Sequence, residues 1–441
     1  MNHLLEAAYL FFRTQFQNRE IWHLAAVTFP FMFIIELPFG LLLFISILRL
    51  FFVETFEKKA NFPYYPFVSC IVTCYNEGEA ITQTLKSLVE QLYRGNLEIL
   101  VIIDDASINK NTLVAAQVFI ENYHNTSKRY IRIIPKYSRG GHASSLNLGL
   151  RLAKGEVVVI LDGDCSCDNT MIAAAAYNFL DLDVVGVSGT LRVRNRRKNI
   201  LTRLQAIEYM LSIHLSRIGL SRLGTLNVIS SAFGAFRKSF LQRVGGWKNG
   251  SAEDLDLTLR IEAYFKRLPQ VKLIHDHQAI AYTDVPETWW KLFKQRFRWD
   301  GDLYYMYFRR HWYILRPKYL GWRRFTILFW SGFLLHIIMP FLLLFYLIYI
   351  LIIYSLFYVI MLMLMIYIFY IFVDTGLFFT YLLLVSERKR YDLKLIPFLL
   401  LMPSYRIIMR VWSVVAIIFE IVLQTHKNTT MAPWWVIRKT D

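Results

Sequence analysis

Asp162 and Asp164 flank a single glycine and directly follow the run Val157-Val158-Val159-Ile160-Leu161. Desolvating a carboxylate is expensive unless a cation or hydrogen bonds compensate, so two of them ending an apolar run point to a divalent cation. Hard Mg2+ or Mn2+ takes one or two protein carboxylates and completes its octahedron with water and substrate phosphate. A plain solvated turn is the competing explanation for so short a motif. Two further groups lie downstream. Ser251-Ala252-Glu253-Asp254-Leu255-Asp256 opens a helical pattern, Leu255 to Phe265. Either Ser251 caps that helix, with acids in its first turn favoured by the dipole, or one acid faces a cleft as a general base toward a hydroxyl nucleophile. Gln295, Arg298 and Trp299 stand at i, i+3 and i+4 on a helix beginning near Pro286-Glu287-Thr288, so they share one face. An amide, a guanidinium and an indole suit a phosphate and a sugar, since Arg can hold phosphate bidentately. The competing explanation is an interfacial Trp beside a snorkelling Arg.

These groups need a scaffold. Five consecutive apolar residues, four of them β-branched, predict a strand buried on both faces of a parallel sheet. Phe67–Thr73, Leu97–Ile103 and Tyr130–Ile134 read as further strands, and Glu79–Gln91, Thr112–Tyr123 and Ala143–Ala153 as helices. The alternation predicts a Rossmann-like α/β domain, a mostly parallel sheet with helices on both faces. Sites in such sheets gather at the carboxyl ends of the strands. The polar tips fall there: residues 73–77, 104–107, 136–142 and 162–164.

The composition adds a second solvent. Hydrophobic residues make up 55% of the 441, gathered in blocks at the two ends, which implies α-helical membrane spans. The formal net charge is +17, concentrated beside those blocks at Lys58 and Lys59, Arg309 to Arg324 and Arg388 to Arg390. Juxtamembrane Lys and Arg mark the cytoplasmic side and attract anionic lipid; no nucleic-acid motif accompanies them. Ile21–Phe52 is expected to hold one kinked span, too long for a cleaved signal peptide. Phe325–Leu384 is long enough for two spans with a turn near the middle, and Leu395–Leu423 for a short interfacial or re-entrant helix and then one span. Residues 1–20 leave an interfacial helix open. The expected division is a membrane segment over 1–60, a catalytic domain over 61–310, interfacial and transmembrane helices over 311–424, and a tail over 425–441. Cys70, Cys74, Cys165 and Cys167 lack C-x2-C spacing and a following histidine pair, so they read as reduced cytosolic thiols rather than a zinc site.

Taken together and in this order, the motifs over residues 66 to 300 resemble those of the membrane-embedded family-2 glycosyltransferases. These are the polysaccharide synthases that make cellulose, chitin, hyaluronan and poly-N-acetylglucosamine. The resemblance implies a GT-A fold, a nucleotide diphosphate sugar donor (usually a UDP-sugar), and Mg2+ or Mn2+. It assigns Thr73, Tyr75 and Glu77 to the first nucleotide-binding segment and Asp105, with Asp104 beside it, to the base or ribose. Asp162 and Asp164 match the pair that meets diphosphate and metal. Ser231 to Arg237, including Phe233 and Gly234, matches the loop lining the acceptor site. Asp254 matches the catalytic base, with Glu253 on the acceptor side; Gln295, Arg298 and Trp299 match the Q-x-x-R-W clamp on the diphosphate and the acceptor end. Two departures stand out. The lysine that often follows the Gly-Gly of the third loop is His142 here, so Lys136 or Arg139 is left to supply charge; and the base motif reads Ala-Glu-Asp for Thr-Glu-Asp. The implied reaction is inverting, metal-dependent and processive, with a polysaccharide acceptor exported across an inner (plasma) membrane by a multi-pass protein whose catalytic domain is cytoplasmic. Accessory export or regulatory subunits are expected partners. The alternative is a non-processive enzyme adding one sugar to a lipid-linked acceptor.

Overall fold

The computed structural model describes residues 31–56, 63–123 and 125–428, together with Glu6 and Leu10. Most of residues 1–20, Lys58 and Lys59, and the tail beyond Asn428 lie outside these, as do the expectations placed on them.

Eight strands form one sheet: β1 (Val68–Cys74), β2 (Leu97–Ile103), β3 (Arg129–Pro135), β4 (Val157–Asp162), β5 (Ser166–Cys167), β6 (Val184–Val193), β7 (Phe233–Arg237) and β8 (Lys272–Thr283). Their order is β3-β2-β1-β4-β7-β6-β8-β5. β1 to β4 run parallel, β7 is antiparallel to β4 and β6, and β6 and β8 are parallel. The four strands expected from sequence are all present, with ends displaced by a residue or so. The helices on this part of the sheet are α1 (Leu37–Phe56), which leads in from the membrane side, then α2 (Ala80–Val89), α3 (Lys110–Glu121) and α4 (His142–Leu152).

Alternation along the strands splits the core into two layers. Val157, Val159 and Leu161 of β4 pack with Val68, Cys70 and Val72 of β1 and with Ile81 and Leu85 of α2. Val158 and Ile160 face the other way, with Ile71, and meet Leu146 and Leu150 of α4. That is the physical reason β4 is apolar from Val157 to Leu161: both faces are covered by helices. The chain order reverses between β1 and β4, and Thr73 sits in register with Asp162. A crevice is expected at that switch point.

The second half hangs further elements on the sheet. Helix α5 (Ile200–Glu208) continues through wider turns to Arg222. Helix α6 (Glu253–Glu262) covers the α4 face, and α7 (Trp289–Tyr305) leads away toward the membrane part. The apolar stretch beyond residue 321 breaks at Tyr354–Ser355, where the Ser355 hydroxyl caps α8 (Leu356–Leu384) by accepting from the Tyr358 N–H. Among the described residues three helices are long and apolar enough to cross a membrane: Ile34–Phe52, Trp322–Ile353 and Leu356–Leu384. The last apolar block forms a tight turn over Leu393–Leu401 and then α9 (Met402–Leu423), which is not among the three. Helix α9 lies along α7: the Phe293 and Trp412 rings stack at 4.6 Å, and the Trp412 indole donates to the Phe293 carbonyl at 2.8 Å. Its two arginines pair with acids of the apolar helices, Arg406 with Asp374 at 2.7 Å and Arg410 with Glu36. Buried charges of this kind are tolerated when paired.

Candidate active site

The carboxyl ends of β1 and β4 meet at the turn Asp162-Gly163-Asp164. The Gly163 N–H donates to the Thr73 carbonyl at 2.9 Å, and its own carbonyl accepts from the Thr84 hydroxyl at 2.7 Å. A Cβ on Gly163 would lie 2.7 Å from Cys74 Sγ and 3.0 Å from the Thr73 carbonyl oxygen. The backbone oxygen cannot yield, so Gly163→Ala should push both carboxylates out of place. Displacement on the ångström scale costs about 10²-fold in rate; initial rates beside a normal melting curve would check this.

Oxygen atoms of Asp162 and Asp164 and Cys165 Sγ lie within 4.8 Å of one another. Burial, then the charge of Asp162, pushes the Asp164 pKa up, and burial pushes the Cys165 thiol well above its ordinary value. The thiol therefore stays neutral, and the carboxylates carry the hard-ligand character. Glu77 stands beside them, with one buried carboxylate oxygen lacking any hydrogen-bond partner; burial, against two backbone N–H groups, lifts its pKa to about 7. Crowded acids with an orphaned oxygen fit a hard divalent cation such as Mg2+ or Mn2+.

Asp104 and Asp105, adjacent in sequence, do different things. Asp104 accepts from Lys136 Nζ at 2.6 Å and from the Gly140 and Gly141 N–H groups at 3.0 and 2.9 Å. It thus shapes the third loop, and Gly141, at φ +83°, makes the left-handed turn that starts α4. Asp105 is itself left-handed, at φ +52°, and among the described residues its carboxylate has no hydrogen-bond or ion-pair partner. Lys136, expected on the donor side, has its ammonium held by Asp104 and the Ser144 and Ser145 hydroxyls, because a largely buried cation needs its own counter-charge. Tyr75 is exposed, with the Arg139 guanidinium 4.5 Å from its ring centre.

His142 joins the parts. Its Nε2 lies 2.9 Å from Thr73 Oγ1 and 3.3 Å from an Asp162 carboxylate oxygen, and its Nδ1 lies 2.7 Å from Glu253 Oε1. Burial alone would lower its pKa, but the hydrogen bonds to Asp162 and Glu253 outweigh it and raise the value to about 10. The sequence left the charge of this loop to Lys136 or Arg139, but the two carboxylates hold His142 as a cation as well. It ties the ends of β1 and β4 to the first turn of α6.

Ala252, not Ser251, takes the capping position of α6, and the Ser251 hydroxyl donates instead to Asp302. Asp254 Oδ1 accepts from the Leu255 N–H at 2.7 Å and Oδ2 from the Ser231 N–H at 3.4 Å. Burial and then the neighbouring Glu253 charge push its pKa up to about 6, against those two N–H groups. Such a carboxyl is suited to gaining and losing a proton near neutrality. Ser231 thus lies against Asp254. Phe233 and Gly234 do not face it: both lie inside β7, paired with Leu161 and Ile160, and Phe233 is 1% exposed in the core. The loop ahead of β7 reaches the cleft because β7 runs antiparallel from the end of β4.

Asp256, two residues on, is structural. It is buried and bonded to Arg260 at 2.7 Å, His311 at 2.8 Å and Arg310 at 3.1 Å. Burial works against ionisation, yet these partners hold its pKa down at about 2. Asp256→Ala strands the Arg260 and Arg310 guanidiniums and leaves the His311 ring without its partner, and removing one partner of a buried pair costs about 3–5 kcal/mol. A correspondingly lower melting temperature is the expected result.

On α7, the Arg298 guanidinium lies 3.5 Å from the Ser251 carbonyl, Gln295 has a buried amide oxygen without a partner, and Trp299 has the Arg296 guanidinium 4.7 Å from its ring centre. Arg296 itself pairs with Glu208 at 2.7 Å, anchoring α7 to α5. Two contributors escaped the sequence: the bridging role of His142, and Arg217, half-buried on the continuation of α5. The Arg217 guanidinium is close enough to Asp254 for their charges to interact and donates to Ser188 Oγ at 3.3 Å.

The family described as Glycosyl transferase family 2 matches residues 69–245. The poly-beta-1,6-N-acetyl-D-glucosamine synthase of Staphylococcus epidermidis is 30% identical over 256 residues, 58% of this chain and 58% of that protein. The probable glycosyltransferase YdaM of Bacillus subtilis is 29% identical over 258 residues, 56% of this chain and 58% of its own length. The matches thus span a little over half the length of these curated relatives. Among solved structures, the mannosyltransferase PcManGT from Pyrobaculum calidifontis, in complex with GDP-Man and Mn2+, has the same fold with a TM-score of 0.57. It is 20% identical, and the superposition covers 90% of this chain and 99% of that one.

Proposed function

We propose that the chain transfers sugar from a UDP-sugar to the end of a growing β-linked polysaccharide and hands the product to its apolar helices, a reading supported by the match of residues 69–245 to glycosyl transferase family 2 and by the GT-A fold. One observation carries the reading: His142 brings the Asp162-Gly163-Asp164 turn and the Glu253-Asp254 turn to one point. A nucleotide-sugar site and a proton acceptor then share a cleft. The poly-beta-1,6-N-acetyl-D-glucosamine synthases among the relatives support a polysaccharide product, and the GDP-Man and Mn2+ of the structural neighbour support a nucleotide-sugar donor and a metal.

Asp105, Thr73 and Tyr75 would hold the nucleoside, with Glu77 beneath the diphosphate. Asp162 and Asp164 would hold Mg2+ or Mn2+, which when bound neutralises charge on the diphosphate. Asp254, positioned by the Ser231 and Leu255 N–H groups, takes the proton of the acceptor hydroxyl as its oxygen bonds to the anomeric carbon. The bond from that carbon to the diphosphate breaks on the opposite face, so an α-linked donor yields a β-glycoside. Arg298 would meet the leaving diphosphate, a charge-assisted contact that strengthens as charge develops. Gln295 would join Arg298 on the diphosphate and Trp299 would hold the acceptor end, all three on α7, which runs toward α9 and the apolar helices.

Product length tests processivity. Purified protein given donor and metal should make a ladder of long, glycosidase-sensitive chains. A single-sugar product on a lipid acceptor would replace the processive reading with the non-processive one.

A further inference from the structure

The basic run after α7 has no part in the chemistry above, yet it helps to build a cavity of about 490 Å3. Lys248, Arg309, Arg310, His311 and Lys427 line it, and the His426 ring closes one side, stacked on Tyr305 at 3.8 Å. The nearby carboxylates are committed: Asp256 to Arg260, Arg310 and His311, and Glu420 to His426. Among the described residues, Lys248, Arg309 and Lys427 have no acidic partner. Like charges gathered around one space repel unless an anion fills it.

The surroundings suggest where that anion comes from. Trp312 stands between the lining residues His311 and Tyr313, and Trp312, Tyr313 and Trp322 are all exposed. Trp322 begins one of the three apolar helices. Exposed Trp and Tyr beside basic groups at the start of a span are the usual chemistry of a membrane–water interface, the level of headgroup phosphates.

We propose that this cavity binds a phosphate-bearing anion, supplied as the headgroup of an anionic lipid. Arg310 lines the cavity and also contacts Asp256 on α6, so the occupied site would brace the helix that carries Glu253 and Asp254.

The test is binding, which needs no transfer activity and so stands or falls apart from the function proposed above. Full-length protein in neutral detergent is titrated with fluorescent phosphatidylglycerol, with phosphatidylcholine as reference and inorganic phosphate and glycerol phosphate as competitors. The wild type should prefer phosphatidylglycerol. Replacing Lys248, Arg309 and Lys427 together by Ala should weaken it roughly 100-fold, and Arg309→Gln alone about five-fold, as expected for single juxtamembrane charges. Replacing the exposed Lys318, Arg323 and Lys394, which do not line the cavity, should leave it near wild type. Equal losses in both triple variants, or none in the cavity variant, would overturn the site. Competition by free phosphate at comparable concentration would overturn its assignment to a lipid.

Discussion

Asp254→Asn should lower glycosyl transfer by about 10²–10⁴-fold, the usual cost of losing a general base, while donor binding and the melting temperature stay close to wild type. The amide oxygen still accepts from the Leu255 N–H and only the longer contact with the Ser231 N–H is given up, so the shape is largely kept while proton acceptance is lost. Loss of a helix-dipole charge alone would move stability by only about 0.3–1 kcal/mol, so the two roles separate by magnitude. The pH profile adds an independent mark. With the Asp254 pKa raised to about 6, the base is protonated and idle below that pH, so kcat/KM should fall about ten-fold per unit on the acid side and level off above it. Glu253→Gln keeps an acceptor for His142 and should cost much less. Initial rates of nucleotide release and donor affinity, taken side by side for the two variants, check all of this.

The second large effect belongs to Asp162 and Asp164. Asp164→Asn should cost at least about 10²-fold in transfer, the scale seen when charge stabilisation of a leaving group is lost, and EDTA should do the same to the wild type. A direct Mn2+ titration by calorimetry separates binding from turnover: one site in the wild type, and a much weaker one in either Asn variant. Full activity in EDTA would refute the assignment.

The sequence carried the scaffold further than the site. Strands β1, β2 and β4 were legible because burial on both faces makes them mostly apolar, and β3 by Ile131, Ile133 and Ile134; their polar tips marked the cleft. Long apolar blocks announced the three candidate spans, and the break at Tyr354–Ser355 fell near the middle of its block. What stayed hidden depended on long-range neighbours. Asp104 and Asp105 look interchangeable in sequence, yet only the fold brings Gly140, Gly141 and Lys136 to the first. Phe233 sits in a loop-like motif, but antiparallel pairing with β4 turns it into the core. His142 reaches Glu253 across 111 residues, a separation that no local pattern encodes.

The central claim is that Asp162, Asp164 and Asp254 serve one nucleotide-sugar transfer. The most direct measurement is UDP release by the purified full-length protein across a panel of UDP-sugars, with and without Mn2+, against the Asp254→Asn variant. The account predicts metal-dependent release from at least one UDP-sugar, at a rate that falls by about 10²-fold or more in the variant. Release that survives metal removal, or that Asp254→Asn leaves within about ten-fold of wild type, short of the usual loss of a general base, would contradict it.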